Sequence, residues 1–308
     1  MKQFEKILVS VDDRFEDDPA LAWAMDLAEH TSAPLHILDV MPNLNWLTRL
    51  HKAHSQETNE EVKGRKSQWL NKVADQAIAR GIKATTEVVI GKTSGSIIDR
   101  VENQGFDIVV RTTRGKFSRT DSYFGRTSMR LLRNCPSAVW LVKPGSKPHF
   151  EKVLATVDLE STELPPDAIA GHNVSLDREI LELANSIAHL HSGHVHLLHA
   201  WEMFGSNLLH SRMSDDEFAN LEMEYRNNLK DSLARLADQG KLRTGQDHMH
   251  LFHGDPAFII PEFVQKEKID LTIMGTHTRS GLTNFVIGNT AEKILDRIQC
   301  SLLAIKPR

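Results

Sequence analysis

The chain has 308 residues, 25% charged and 40% hydrophobic, which are ordinary values for a globular protein and long enough for about two domains. Its 37 basic and 41 acidic side chains leave a net charge of −4, so no broad basic field invites nucleic acid. No run of about eighteen apolar residues occurs and the start MKQFEKILVSVDD lacks an apolar leader core, so membrane insertion is not expected and a cytoplasmic location is.

The first half opens on a β-branched run, Ile7–Val11, that stops at Asp12. A helix is predicted over Pro19–Thr31, with Ala24, Leu27 and Ala28 at the spacing of a buried face. A second strand, Pro34–Val40, leads into the apolar segment Asn43–His51, which suits either helix packing or a lid. Thr58 and Glu61 fit a capping box that starts a long amphipathic helix. A third strand, Thr86–Ile90, ends at Gly91, and a third helix leads to a fourth strand, Asp107–Arg111. After a loop from Thr112 to Gly125 come a last helix and the strand Ala138–Val142. Pro, Gly and Ser in PGSKPH then mark a boundary, giving domains 1–146 and 147–308.

The same order then repeats. FEKILVSVDD returns as FEKVLATVDL, and Gly91, Asp107, Gly125 and Lys143-Pro144 match Gly254, Asp270, Gly288 and Lys306-Pro307. The second set of elements is Val153–Val157, Leu176–Leu190, His194–Ala200, a helix capped by Ser214 and Glu217, His250–His253, Asp270–Met274 and Leu302–Ile305. It adds an insertion, Glu160–Asn173, whose Pro165-Pro166 and Gly171 read as a surface loop or a cover over the second site. Cys135 and Cys300, one late in each half, read as buried thiols rather than a disulfide.

Strands alternating with helices predict two tandem α/β domains, each a doubly wound, five-stranded parallel sheet. Ligands of such sheets bind beyond the carboxyl ends of the strands, where strands one and four end here. In the second half Gly275 follows strand four, and Gly288-Asn289-Thr290 begins the last helix, a place where free N–H groups favour phosphate. The same residues equally fit a tight turn and an N-cap. Asp12 and Asp158, one position seen twice, fit either a ligand contact or a loop-capping carboxylate.

The run DLTIMGTHTRSG, then GNTAE and a terminal LLAIKP, together with the strand-one Asp, resembles the universal stress protein family, over essentially the whole chain. Two fused copies are similar to its tandem members. The resemblance implies a HUP-type, Rossmann-like fold, a role in stress response, and ATP or a related nucleotide as ligand, most of all in the second half. It places Val157 and Asp158 at the adenine side, Ala200 along the base, and Met274, Gly275, His277, Gly288, Asn289 and Thr290 around the phosphates. Thr278 stands where the family's second glycine belongs, and Asn289 replaces its Ser or Thr. In the first half Asp12, Gly115 and Gly125 keep the pattern, whereas Thr112 replaces the first glycine and Arg114 and Arg126 either assist an anion or fill its place. The resemblance also implies that the halves pair through their last strands, with Trp140 at the seam, and leaves a homodimer open.

Two further readings stand beside the nucleotide. One is an apolar or lipid-conjugated ligand with vestigial loops, and the other is slow ATP hydrolysis, for which no nucleophile is positioned. The histidines of the second half, His189, His191, His194, His196, His199, His248, His250 and His253, bring His194 or His196 near His248 or His250 on neighbouring strands. Zinc suits imidazole, but no Cys or acidic motif with metal spacing supports it, and His36 matching His196 favours a structural role.

Overall fold

Alternation of β-branched runs with amphipathic segments is realised almost element for element. The computed structural model describes residues 4–12, 18–43, 58–113, 124–146, 149–159, 172–190, 192–203, 205–242, 248–276 and 287–306, without the side chains of 172–175 and 207. Two compact units emerge, one built on Met1–Pro148 and the other on His149–Arg279 with Ile287–Cys300.

In the first half the strands are β1 (Ile7–Val11), β2 (Leu35–Met41), β3 (Ala84–Ile90), β4 (Ile108–Thr112) and β5 (Ala138–Val142). The helices are α1 (Pro19–Thr31), α2 (Asn59–Ala79), α3 (Thr93–Gln104) and α4 (Gly125–Asn134). The sheet order is β3-β2-β1-β4-β5, with every pair parallel. Order reverses between β1 and β4, so the crevice lies at their carboxyl ends. β1, β4 and β5 are buried throughout, as expected for strands covered on both faces. Trp23 of α1 packs on Trp140 of β5, ring centroids 5.4 Å apart.

The second half repeats this with β6 (Lys152–Thr156), β7 (His194–Trp201), β8 (Met249–His253), β9 (Leu271–Gly275) and β10 (Ser301–Ile305), in the order β8-β7-β6-β9-β10. Its helices are α5 (His172–Leu190), α6 (Ser206–His210), α7 (Asp215–Gln239), α8 (Pro256–Glu267) and α9 (Asn289–Arg297). Two elements depart from the sequence reading. α5 begins at His172 rather than Leu176, so the inserted segment ends in helix, and the short α6 stands between β7 and α7, where the apolar sequence suits either helix packing or a lid.

Both predicted capping boxes form: Thr58 with Glu61 and Ser214 with Glu217 each exchange hydroxyl and carboxylate for the two free N–H groups. Ser214→Ala is expected to lower stability by about 1 kcal/mol, the usual worth of such a cap, as a shift in urea midpoint with unchanged slope. Cys135 and Cys300 are buried and in no disulfide. No helix among the described residues is long and apolar enough to cross a membrane.

Candidate functional site

The carboxyl end of the second-half sheet gathers five of the expected residues. Thr156 at the end of β6 lies in register with Met274 on one side and Leu198 on the other. The chain continues with Val157, whose N–H donates to Leu198 O at 3.0 Å, and then exposes Asp158. Ala200, two residues beyond Leu198, and Gly275, one beyond Met274, complete this rim. Thr276 N–H donates to Ile305 O at 3.1 Å, as Thr113 N–H donates to Val142 O at 2.8 Å in the first half. The last helix of each half therefore begins at the same end as the rim. Gly288 is the N-cap of α9, no side chain among the described residues caps that terminus, and Asn289 and Thr290 are exposed in its first turn. Asn289 is thus the first helical residue, not the cap. Glu292 complements the positive end of the helix dipole. His277 and Gly115, with Thr278 and Arg114, lie outside the described residues.

Gly275 owes its place to packing, not to backbone angle. A β-carbon there would stand 2.9 Å from Leu176 Cδ2, because α5 reaches back far enough to bring Leu176 over the strand end. In the first half α1 starts at Pro19, and Thr112 keeps a side chain at the matching place. Gly125 differs again: it begins α4 at φ 73°, a left-handed value that glycine adopts without cost, whereas Gly288 sits at φ −63°.

The crevice of the first half is filled by the protein's own arginine. Arg111, 5% exposed, donates from Nη1 to Ser10 Oγ at 2.6 Å and places Nη2 3.7 Å from Asp12 Oδ2. Behind it Asp18 caps α1, accepting from Ala20 N at 3.0 Å, from Asp12 N at 3.3 Å and from the Thr112 hydroxyl. Burial pushes the Asp18 pKa above the ordinary carboxylate value, opposed by these hydrogen bonds and by the field of Arg111. The sequence offers Arg114 and Arg126 either to assist an anion or to fill its place, and Arg111 adds a third arginine to this end of the sheet. In sequence, an arginine closing a strand looks like an ordinary polar terminus, so Arg111 carries no local signal of this role.

Asp18 and its second-half equivalent escaped the sequence reading as well. Asp177 Oδ1 accepts the N–H of Asp158 at 3.1 Å, as Asp18 accepts that of Asp12. So each strand-end Asp presents its backbone to an acid on the following helix. The insertion in the second half changes the spacing of the pair and hides it from a fixed-offset comparison. His199 is a further addition. It is 4% exposed, with Nδ1 2.9 Å from Val157 O, and steadies the loop that carries Asp158. At the aligned position of the first half stands Asp39, paired with Lys66 at 2.7 Å.

Known proteins show the same organisation. The model of the universal stress protein family (Usp) matches residues 3–143 and again 171–306. Universal stress protein E of Escherichia coli K12 is 27% identical over 310 residues, spanning 100% of this chain and 95% of that protein. The universal stress protein E homolog of Haemophilus influenzae is 27% identical over 317 residues, 99% of this chain and 98% of its own. Among solved structures, a functionally unknown Pseudomonas aeruginosa PAO1 protein superposes with a TM-score of 0.75 at 22% identity, covering 99% of this chain and 94% of that one. A universal stress protein from Archaeoglobus fulgidus gives 0.58 at 18% identity, with 99% of each chain covered. Two family matches on one chain, the first spanning β1 to β5 and the second running from α5 to the end of β10, settle the matter: this chain belongs to the universal stress protein family and carries its domain twice.

Proposed function

We propose that the second half binds ATP or a related nucleotide at the carboxyl ends of β6 and β9, and that the first half does not. One observation carries this reading: Arg111, which fills the first crevice and pairs with Asp12, is replaced at the aligned position by Met274, which has no charge to close the second crevice. Asp158 is exposed there, and α9 opens on Gly288 without a side-chain cap. A helix start of that kind directs N–H groups and a positive dipole end toward an anion. Val157 and Ala200 supply buried apolar surface beside Asp158, suited to the flat face of a base. The chemistry this favours is binding. Among the described residues of this rim, the Asp177 carboxylate is tied to the Asp158 amide and Met274 offers only a thioether, so no activated nucleophile is assembled there.

Gly288→Val tests the assignment. The backbone at Gly288, φ −63° and ψ 147°, accepts any residue, so the added side chain obstructs the helix start without strain. Titration calorimetry with ATP should show one site per chain, weakened about tenfold or more by Gly288→Val, which corresponds to at least about 1.4 kcal/mol. Binding that survives this change, or that is lost with Arg126→Ala instead, would place the ligand elsewhere.

A further inference from the structure

Four histidines of the second half, His194, His196, His248 and His250, converge at its β7–β8 edge. His196 on β7 has Nδ1 3.1 Å from Nε2 of His250 on β8. His248 meets His196 edge-on at 4.7 Å between ring centroids, and His194 stacks on His248 at 5.8 Å. Phe263 of α8 covers His250 at 4.6 Å and His196 at 5.7 Å. Nδ1 of His248 is buried with no hydrogen-bond partner among the described residues. Among those residues no three His, Cys, Asp or Glu side chains are arranged to hold a metal ion. The ligand this arrangement responds to is the proton.

The first half supplies the comparison. His36 occupies the place of His196, but its ring nitrogens meet Thr85 Oγ1 at 2.9 Å and Glu87 Oε2 at 3.4 Å. Glu87 is held in turn by Arg100 at 2.9 and 2.8 Å. In the second half those three neighbours are His248, His250 and Phe263, so the carboxylate that could receive an imidazolium has become a third imidazole. The charged groups acting on the cluster from other elements are Lys152 of β6 and Lys266 and Glu267 of α8. Glu267 is already engaged: Lys152 Nζ donates to its backbone oxygen at 2.8 Å and lies 4.0 Å from its carboxylate.

We propose that this imidazole cluster is an acid-sensitive latch, holding β8 on β7 when neutral and loosening that edge when it takes up protons. An N–H···N bond between two imidazoles needs one ring to accept, and protonation of the acceptor removes it. A second proton places two positive rings side by side with no acid between them. β8 is the outer strand of the second-half order, so its release makes β7 the edge, with backbone groups open to an incoming strand.

The direction follows from the shifts. Burial, aided by the fields of His248 and His250, lowers the His196 pKa from 6.5 to about 4, and burial lowers that of His250 too. The unfolded edge therefore binds protons that the folded edge refuses. The latch is at full strength above the unfolded value of 6.5 and weakens as pH falls from there toward about 4. His248 and His250 are partly open to solvent, which reduces the full thermodynamic effect and leaves an opening equilibrium raised about tenfold at pH 5 relative to pH 7.5.

Hydrogen exchange on the whole chain, without added ligand and corrected for the intrinsic pH dependence of exchange, reads this directly. Amides of 194–201 and 249–253 should lose about tenfold in protection at pH 5 and regain it on return to pH 7.5. Amides of 35–41 and 84–90, whose histidine keeps Glu87, should change by less than about twofold. His248→Thr with His250→Glu installs two of the first half's three neighbours, the acid among them, and should abolish the acid response, and the milder His250→Asn should at least halve it on a logarithmic scale. Equal loss at both edges, no loss at pH 5, or an undiminished response in either variant would overturn the proposal. Because no nucleotide is present, its failure and that of the binding reading are separate results.

Discussion

Replacing Arg111 with Met is expected to destabilise the first half by about 3 kcal/mol at neutral pH, the cost of breaking an ion pair largely withdrawn from water. Met is the residue the second half uses at the same place, Met274, and it roughly preserves the buried volume. The loss therefore reports charge rather than a cavity. Without the guanidinium, Ser10 loses its 2.6 Å donor and Asp12 its opposite charge, while Asp18 keeps its buried carboxylate without the field that favours ionisation. Urea unfolding should show the drop, and Asp12→Asn added to Arg111→Met should restore more than half of it, because the stranded charge is then gone. A loss below about 1 kcal/mol would mean that water reaches the crevice and Arg111 does not close it.

Asp107→Ala and Asp270→Ala should each cost about 2 kcal/mol, felt in the half that carries the change. Asp107 Oδ2 accepts the N–H groups of Glu5 and Lys6, both at 2.8 Å, while Asp270 Oδ2 accepts those of Glu151 and Lys152 at 3.0 and 2.9 Å. Each carboxylate thus ties the residue before strand four to the entry of strand one of its own half. Lys6 and Lys152 extend the tie, donating from Nζ to Gln104 O at 2.6 Å and Glu267 O at 2.8 Å. Alanine strands two backbone donors at a sheet entrance that is only partly open to water. Urea midpoints of the two variants should fall by similar amounts, and Asn, which keeps one acceptor oxygen, should recover about half. A drop in one half only would show that the repeated hydrogen bonds are not equivalent in energy.

These aspartates also show how far a sequence can be read. Their recurrence was visible as a matched pair, yet nothing in the local pattern says that a carboxylate before strand four will bind amides about a hundred residues away. Periodicity and capping are local properties, and they were legible: both capping boxes, the buried faces of α1 and α5 and the burial of β1 and β4 follow from residues within a turn or a strand of one another. The start of α5 was misplaced because Pro165-Pro166 and Gly171 signal a loop and offer no sign of where helix resumes.

The candidate site divides the same way. Strand-end position of Asp12, Asp158, Met274 and Gly275, and helix-start position of Gly125 and Gly288, follow from the order of elements, because a parallel α/β sheet puts all such termini at one end. What occupies that end is a matter of cross-strand neighbours. Arg111 reaches Ser10 and Asp12 only because β4 lies beside β1, and His196 meets His250 only because β7 lies beside β8.

By itself, then, the sequence determined the duplication, the α/β class, the element order, the helix caps and the end of each sheet where a ligand belongs, since all of these rest on local chemistry repeated twice. Tertiary structure alone decided that Arg111 fills the first crevice while Met274 leaves the second without a charge, that Gly275 yields to Leu176, and that two imidazoles beside His196 replace the Thr–Glu pair beside His36. Those outcomes depend on distances between residues far apart in the chain, where a change of one side chain alters charge balance without disturbing the pattern that builds the fold.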